Sequence, residues 1–258
     1  MGWALDLDGV VWLAHEPLPG AAAAVEQLRS AGEDLLFVTN NAQFDRRTVA
    51  SNLRSAGIPA DPEEVVTSAM AAATLVDPGT RVLAFAGPGV AEALEEGGAE
   101  VVDGDDPAAA DVDTVVVGRH TDLRFAGLTA AVRAVVGGAR LVATNADPAY
   151  PTPAGPEPGA GALLAAVEAA SNHKAHAVAG KPHAPMAALV ADRLGPGGWV
   201  VGDSPATDGL LAARLGYHFG LVLSGVTSDL DLPVTPAPDV VAVNLGALVA
   251  TVLGDAGR

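Results

Sequence analysis

Trp3-Ala4-Leu5-Asp6-Leu7-Asp8-Gly9-Val10 opens the chain with an apolar run that ends on two carboxylates and a glycine. Short apolar runs bounded by turn signals read as buried strands, so residues 3–7 are read as the first strand. Working outward, further strands fit 35–38, 82–85, 101–102, 114–117, 141–144, 177–179, 199–201 and 219–223. Ala-rich segments separate them. Ala forgoes no side-chain entropy in a helix, and helices fit 21–31, 46–56, 90–96, 125–136, 162–170, 185–194 and 207–215. Strand alternating with helix argues for an α/β fold with mostly parallel sheet. Uninterrupted apolar runs such as Val115-Val116-Val117 fit strands covered on both faces. Two Pro/Gly-rich places break the rhythm, at 77–79 and at 148–161. The number of strand-helix units suggests two α/β domains.

Composition narrows the function. Acidic residues outnumber basic ones by 31 to 14, for a net charge of −17. That argues against nucleic acid, whose phosphates need clustered Lys and Arg. A phosphate-binding site in so acidic a chain needs its own local positive charge. There is no cysteine, which excludes disulfides, thiolate metal sites and cysteine nucleophiles. No apolar run reaches the roughly 18 residues of a membrane span, and no signal-peptide pattern opens the chain. A cytoplasmic location is expected. The six histidines lack metal-ligand spacing such as HExxH, and no GxSxG elbow or Walker sequence occurs.

Ligands of open parallel sheets bind beyond the carboxyl ends of the strands. Asp6, Asp8 and Gly9 follow the first expected strand, and Thr39-Asn40-Asn41 the second. Gly180-Lys181-Pro182 follows 177–179, and Gly202-Asp203-Ser204, with Thr207-Asp208, follows 199–201. Singly each is ordinary: Asp-Gly marks turns, Asp203 or Thr207 could cap a helix, and most lysines are exposed. Together they deliver carboxylates, a hydroxyl and a lysine to one place. Asp6 and Asp8, two apart, share a face if the strand stays regular. Carboxylate oxygens suit magnesium, and Asp203 can complete that site. A phosphate dianion repels a carboxylate nucleophile, and a metal with Lys181 offsets that repulsion. Thr39 and the backbone near Asn40 can hold phosphate oxygens at a helix start. Asp8 can serve as acid for the leaving alcohol and base for the incoming water.

The residues now resemble a known family. Asp6-Leu7-Asp8-Gly9-Val10, Thr39, Lys181 and Gly202-Asp203 with Thr207-Asp208 resemble, in order, the four motifs of the haloacid dehalogenase superfamily, on its phosphatase side. Pro19-Gly20-Ala21, Val38-Thr39-Asn40-Asn41, Thr67-Ser68-Ala69, Ala143-Thr144-Asn145, Pro158-Gly159-Ala160-Gly161, Gly180-Lys181-Pro182 and Leu223-Ser224-Gly225-Val226-Thr227 resemble its type IIA branch of 4-nitrophenyl phosphatase-like enzymes. The resemblance implies a Rossmann-like, doubly wound parallel-sheet core with an inserted α/β cap domain. The core is expected at 1–76 plus 175–258 and the cap at 77–174. It implies Asp6 as nucleophile, Asp8 as acid/base, and Mg2+ held by Asp6, Asp203 and the Asp8 carbonyl. Thr39, Asn40, Asn41 and Lys181 are expected to hold phosphate, with Ser204 and Asp208 in support. Arg119, His120, Asp122 and Arg124 stand where relatives carry a specificity loop. The sequence departs from the family pattern at Ser204-Pro205, at Gly209 and at Leu13-Ala14-His15. The expected substrate is a small phosphorylated metabolite of sugar or polyol type, and the expected assembly a homodimer. Phosphoryl transfer on the same core, or a non-catalytic metabolite-binding regulator, are the alternatives. Dehalogenation is disfavoured because dehalogenating relatives lack the second Asp, and Asp8 is present.

Overall fold

The computed structural model describes residues 1–256 other than 14, 103–108, 110 and 153, so Ala14 and Pro153 of the segments singled out above lie outside the described residues. The chain enters β1 (Gly2–Leu5) and a short hairpin, β2 (Trp12–Leu13) and β3 (Glu16–Pro17). It continues through α1 (Ala21–Ser30), β4 (Asp34–Thr39), α2 (Arg46–Ser55), β5 (Val65–Thr67) and α3 (Ser68–Ala73). Then come β6 (Arg81–Phe85), α4 (Pro88–Glu96), β7 (Glu100–Val102), β8 (Thr114–Val117), α5 (Phe125–Val136) and β9 (Arg140–Ala143). A second hairpin, β10 (Ala149–Tyr150) and β11 (Glu157–Pro158), leads to α6 (Ala160–Ser171) and β12 (Ala177–Val178). The chain ends through α7 (Ala184–Leu194), β13 (Gly198–Gly202), α8 (Leu210–Leu215), β14 (His218–Val222), β15 (Val240–Ala242) and α9 (Leu245–Ala256).

Two all-parallel sheets result. The first has the order β15-β14-β13-β1-β4-β5 and the second β12-β9-β8-β6-β7. Period-two alternation sends side chains to opposite faces of each strand. Trp3, Leu5, Leu35 and Phe37 join Val25 and Leu28 of α1, Leu53 of α2 and Leu248 of α9 on one face of the first sheet. Ala4, Leu36 and Val38 join Met186 and Val190 of α7 and Leu211 of α8 on the other. That second cluster also takes in Ala72 of α3, Leu94 of α4, and Val82, Val116 and Val142 of the second sheet, so one apolar mass ties the two sheets together. The far face of the second sheet packs Leu83, Val115 and Leu141 against α5 and α6.

The expected elements are present with shifted ends, and three differences bear on the site. The first strand stops at Leu5, so Asp6 and Asp8 do not share a strand face. The Leu7 carbonyl accepts from Val10, Val11 and Trp12 N–H, which closes a tight turn directly after Asp6. The helix expected at 207–215 begins at Leu210, because Pro205–Gly209 form a π-helical turn in which Thr207, Asp208 and Gly209 N–H all converge on the Ser204 carbonyl. The second sheet runs past residue 174, the expected end of the inserted unit, because Ala177–Val178 pairs with β9.

Candidate active site

β1 lies between β13 and β4, with Leu5 level with Val201 and Phe37. Asp6 therefore leaves the sheet beside Gly202-Asp203, and its N–H still reaches the Val201 carbonyl at 2.9 Å. Lys181 arrives from the other sheet. Ala179 and Gly180 N–H extend the β12–β9 ladder onto the carbonyls of Ala143 and Thr144. Asn40, just past β4, then clasps the lysine's backbone: its Oδ1 accepts from Lys181 N–H at 2.8 Å and its Nδ2 donates to the Lys181 carbonyl at 3.2 Å. The Asn40 carbonyl in turn accepts from Ser68 Oγ and from Asn145 Nδ2.

The Lys181 ammonium lies 2.7 Å from Asp6 Oδ1 and 2.7 Å from Asp208 Oδ1. Burial works against its charge, but Asp208 and Asp6 outweigh burial and hold it above its ordinary value, firmly protonated. Burial also raises Asp6 well above the usual carboxylate range; Lys181 offsets part of this, and Asp208 and Asp203 add to it. Asp203 is pushed up to about 7 by burial and then by the Asp208 charge. Its Oδ2 accepts from Val226 N–H at 2.7 Å. Two glycines make room for it: a Cβ on Gly9, whose φ is 83°, would lie 2.2 Å from Asp203 Oδ2, and one on Gly225 would lie 1.8 Å away.

Asp6, Asp203 and Asp208 bring carboxylate oxygens within 4.8 Å of one another. Asp208 is already satisfied, by Lys181, by Ser204 N–H at 3.2 Å and by the Thr207 hydroxyl at 3.3 Å. That leaves the partly buried Asp6 and the buried Asp203 as oxygen donors with more negative charge than Lys181 neutralises. An all-oxygen, anionic set of this kind fits a hard divalent cation.

Asp6, Asp203 and Lys181 floor a cavity of about 280 Å³. Its other wall comes from the second sheet and the β10–β11 hairpin. Tyr150 Oη donates to Asp8 Oδ1 at 3.0 Å. The Arg119 guanidinium stacks 4.3 Å above the Tyr150 ring and pairs with Glu157 at 2.5 Å and with Gln43. Asp147 Oδ2 accepts from Asn40 Nδ2 at 2.8 Å, and burial raises its pKa.

The family model of haloacid dehalogenase-like hydrolases matches residues 3–100, and a related HAD-hydrolase-like model matches 178–248. The acid sugar phosphatase of Staphylococcus haemolyticus is 33% identical over 237 residues, covering 90% of this chain and 88% of that one. This chain belongs to the haloacid dehalogenase-like hydrolases. Among solved structures, the p-nitrophenyl phosphatase from Archaeoglobus fulgidus superposes with a TM-score of 0.87 at 30% identity, covering 97% of this chain and 98% of that one. The glycerol phosphate phosphatase from Mycobacterium tuberculosis, in complex with magnesium, gives 0.87 at 34% identity, covering 96% and 75%.

In this haloacid dehalogenase-like hydrolase, Asp6, Asp8, Thr39, Asn40, Asn41, Lys181, Asp203 and Ser204 line one cavity, and Asp208 stands behind Lys181. Helix α2 does not start at Thr39-Asn40-Asn41. It begins at Arg46, and residues 39–43 are held instead by side-chain bonds, Asn41 N–H to Thr39 Oγ1 and Gln43 N–H to Asn41 Oδ1. Of the four residues singled out between 119 and 124, Arg119 lines the cavity, whereas His120, Asp122 and Arg124 line a separate one of about 370 Å³ near Phe85 and Gly87. Sequence reasoning missed Asp147, Tyr150, Glu157 and Gln43. Asp147 stands two residues past the Ala143-Thr144-Asn145 stretch, a signal that could have found it, but no motif marked Tyr150 or Glu157.

Proposed function

We propose that the protein is a magnesium-dependent phosphatase that hydrolyses a small phosphomonoester of sugar or polyol type through a phospho-aspartyl intermediate on Asp6. The observation that carries this reading is the Lys181 ammonium, 2.7 Å from Asp6 Oδ1, in a cavity shared with Asp8. In this reading residues 77–174, with the second sheet, act as a cap over the first.

Asp6 attacks phosphorus. Lys181 offsets the repulsion between carboxylate and phosphate dianion and stabilises charge on the transferring group. Thr39, Asn40 and Asn41 hold phosphate oxygens. Asp8 gives a proton to the leaving oxygen, then takes one from the water that frees phosphate from Asp6. Asp208 holds Lys181 in place. The carboxylates of Asp6 and Asp203 and the backbone carbonyl of Asp8 would hold magnesium, which would supply Lewis-acid neutralisation of the phosphate.

The leaving-group side of the cavity supports the substrate class. Arg119, its cation, is already paired with Glu157, and Asp147 adds negative charge. A second anionic group on the substrate finds little to meet it there, whereas hydroxyls find donors and acceptors. The relatives' own names, an acid sugar phosphatase and a glycerol phosphate phosphatase, agree with this choice. The test is phosphate release from a panel of phosphomonoesters, with magnesium and with chelator, in water without an acceptor alcohol. Magnesium-dependent release that disappears in Asp6→Asn is expected. Release that persists in Asp6→Asn overturns the mechanism.

A further inference from the structure

We infer that Tyr150 is a positioning residue for Asp8, and that Arg119 holds Tyr150 in that role, so that the acid/base is completed by a side chain from the β10–β11 hairpin. The inference rests on the phosphatase reading of Asp8. The backbone beneath Asp8 is fixed by the turn on the Leu7 carbonyl and by Ser224 Oγ, which donates to the Gly9 carbonyl at 2.7 Å. Fixing the backbone does not fix the rotation of a carboxylate. The Tyr150 hydroxyl does so by binding Asp8 Oδ1 at 3.0 Å. Burial and the Asp8 charge hold the Tyr150 phenol above its ordinary range, so it stays a donor.

Tyr150 is itself braced. Its cross-strand partner in the hairpin is Glu157. Arg119 spans the two, stacking on the Tyr150 ring and pairing with the Glu157 carboxylate. Its remaining arm reaches Gln43, in the loop that follows the phosphate-binding residues. Arg119 is only 8% exposed, and stacking of a guanidinium on an aromatic ring strengthens as water is excluded. The brace therefore joins three segments: the loop after β4, the loop after β8 and the hairpin. None of these bonds is needed to hold the fold's apolar clusters, whose members lie elsewhere.

A residue that orients the general acid matters in proportion to how badly the leaving group needs a proton. Glycerol 3-phosphate releases an alkoxide unless it is protonated; 4-nitrophenyl phosphate releases a stable phenolate. The experiment compares kcat and KM for these two esters in wild type, Tyr150→Phe, Arg119→Lys, Asp8→Asn and the Tyr150→Phe/Asp8→Asn double variant. In Tyr150→Phe the kcat/KM loss on glycerol 3-phosphate, which reports the step that expels the leaving group and not the hydrolysis of phospho-Asp6 shared by both esters, is expected to exceed that on 4-nitrophenyl phosphate by about tenfold, a fraction of the full value of general-acid catalysis. Arg119→Lys keeps the charge but not the planar stack and follows the same pattern. In the Asp8→Asn background Tyr150→Phe is expected to cost nothing further, because groups acting as one unit are non-additive. Equal kcat/KM losses on the two esters, or full additivity with Asp8→Asn, overturn the inference while leaving the phosphatase reading intact. No phosphate release by the wild type from either ester overturns both.

Discussion

Lys181 and Asp208 form a buried ion pair, Nζ to Oδ1 at 2.7 Å, with the lysine 4% exposed and the aspartate fully enclosed. The two residues come from different sheets' ends and stand 27 positions apart. Asp208 is fixed from behind by Ser204 N–H and the Thr207 hydroxyl, on a π-helical turn that packs it against Gly202. The pair is thus a rigid mount that presents one remaining side of the ammonium to Asp6.

Removing one member of such a pair leaves the other charged and desolvated. Lys181→Met is expected to cost about 3–5 kcal/mol of stability and to lower phosphate release by about 10²–10³-fold. Lys181→Met/Asp208→Leu is expected to recover most of the stability and none of the activity. Urea midpoints and phosphate release on the same preparations check both statements. An unchanged midpoint in the single variant would show that Asp208 is not held as a buried anion.

The candidate site was legible in the sequence because phosphoryl chemistry needs particular residue types at strand ends, and Asp6, Thr39, Lys181 and Asp203 all stand there and line one cavity. What escaped was set by packing. The segment 245–256 contains two glycines and three β-branched residues and carries weak helical propensity. It is helical because Leu245, Leu248 and Val249 fall on one face against α1, and because Asn244 Oδ1 caps it at Ala247 N–H. Tyr150 and Glu157 escaped for a related reason: their meeting depends on cross-strand register in a proline-rich hairpin, which no local signal announces. Arg119 and His120 are neighbours in sequence but line different cavities, a matter of side-chain direction that composition does not carry.

Gly225 approaches Asp203 so closely that an alanine there must displace the carboxylate. Gly225→Ala is expected to reduce or abolish the rise in melting temperature that magnesium produces by binding the folded state. Gly246→Ala is the control, because the nearest atom to its added methyl is 3.4 Å away, an ordinary contact. A magnesium-induced shift equal to wild type in Gly225→Ala would remove Asp203 from the metal site.

Helix α2 depends on its cap. Asp45 accepts from Thr48 N–H at 2.9 Å, and Asp45→Ala should cost about 1 kcal/mol at neutral pH. Burial raises the Asp45 pKa, but the bonds from Thr48 outweigh it and the net shift is downward. A carboxylate lowered on folding stabilises above its unfolded pKa, and that contribution is lost as pH falls through the folded value. The gap between wild type and Asp45→Ala should therefore be full at pH 7 and shrink below pH 4. A gap that widened in acid would mean that the cap acts through something other than the ionised carboxylate.

Glu157 sets how much of Arg119's charge a substrate meets. The pair is close, but Glu157 is half exposed, so its Coulomb energy is that of a screened surface pair. Glu157→Gln keeps a hydrogen-bond acceptor for Arg119 and removes the compensating charge. The ratio of kcat/KM for an ester with a carboxylate in its leaving group, such as phosphoglycolate, to that for glycerol 3-phosphate should then rise about threefold to fivefold, the value of up to roughly 1 kcal/mol. Any disturbance of Tyr150 acts on both esters, since both release alkoxides, and cancels in the ratio. A ratio that stayed fixed or fell would show that Arg119 does not face the leaving group, and would confine its role to bracing Tyr150.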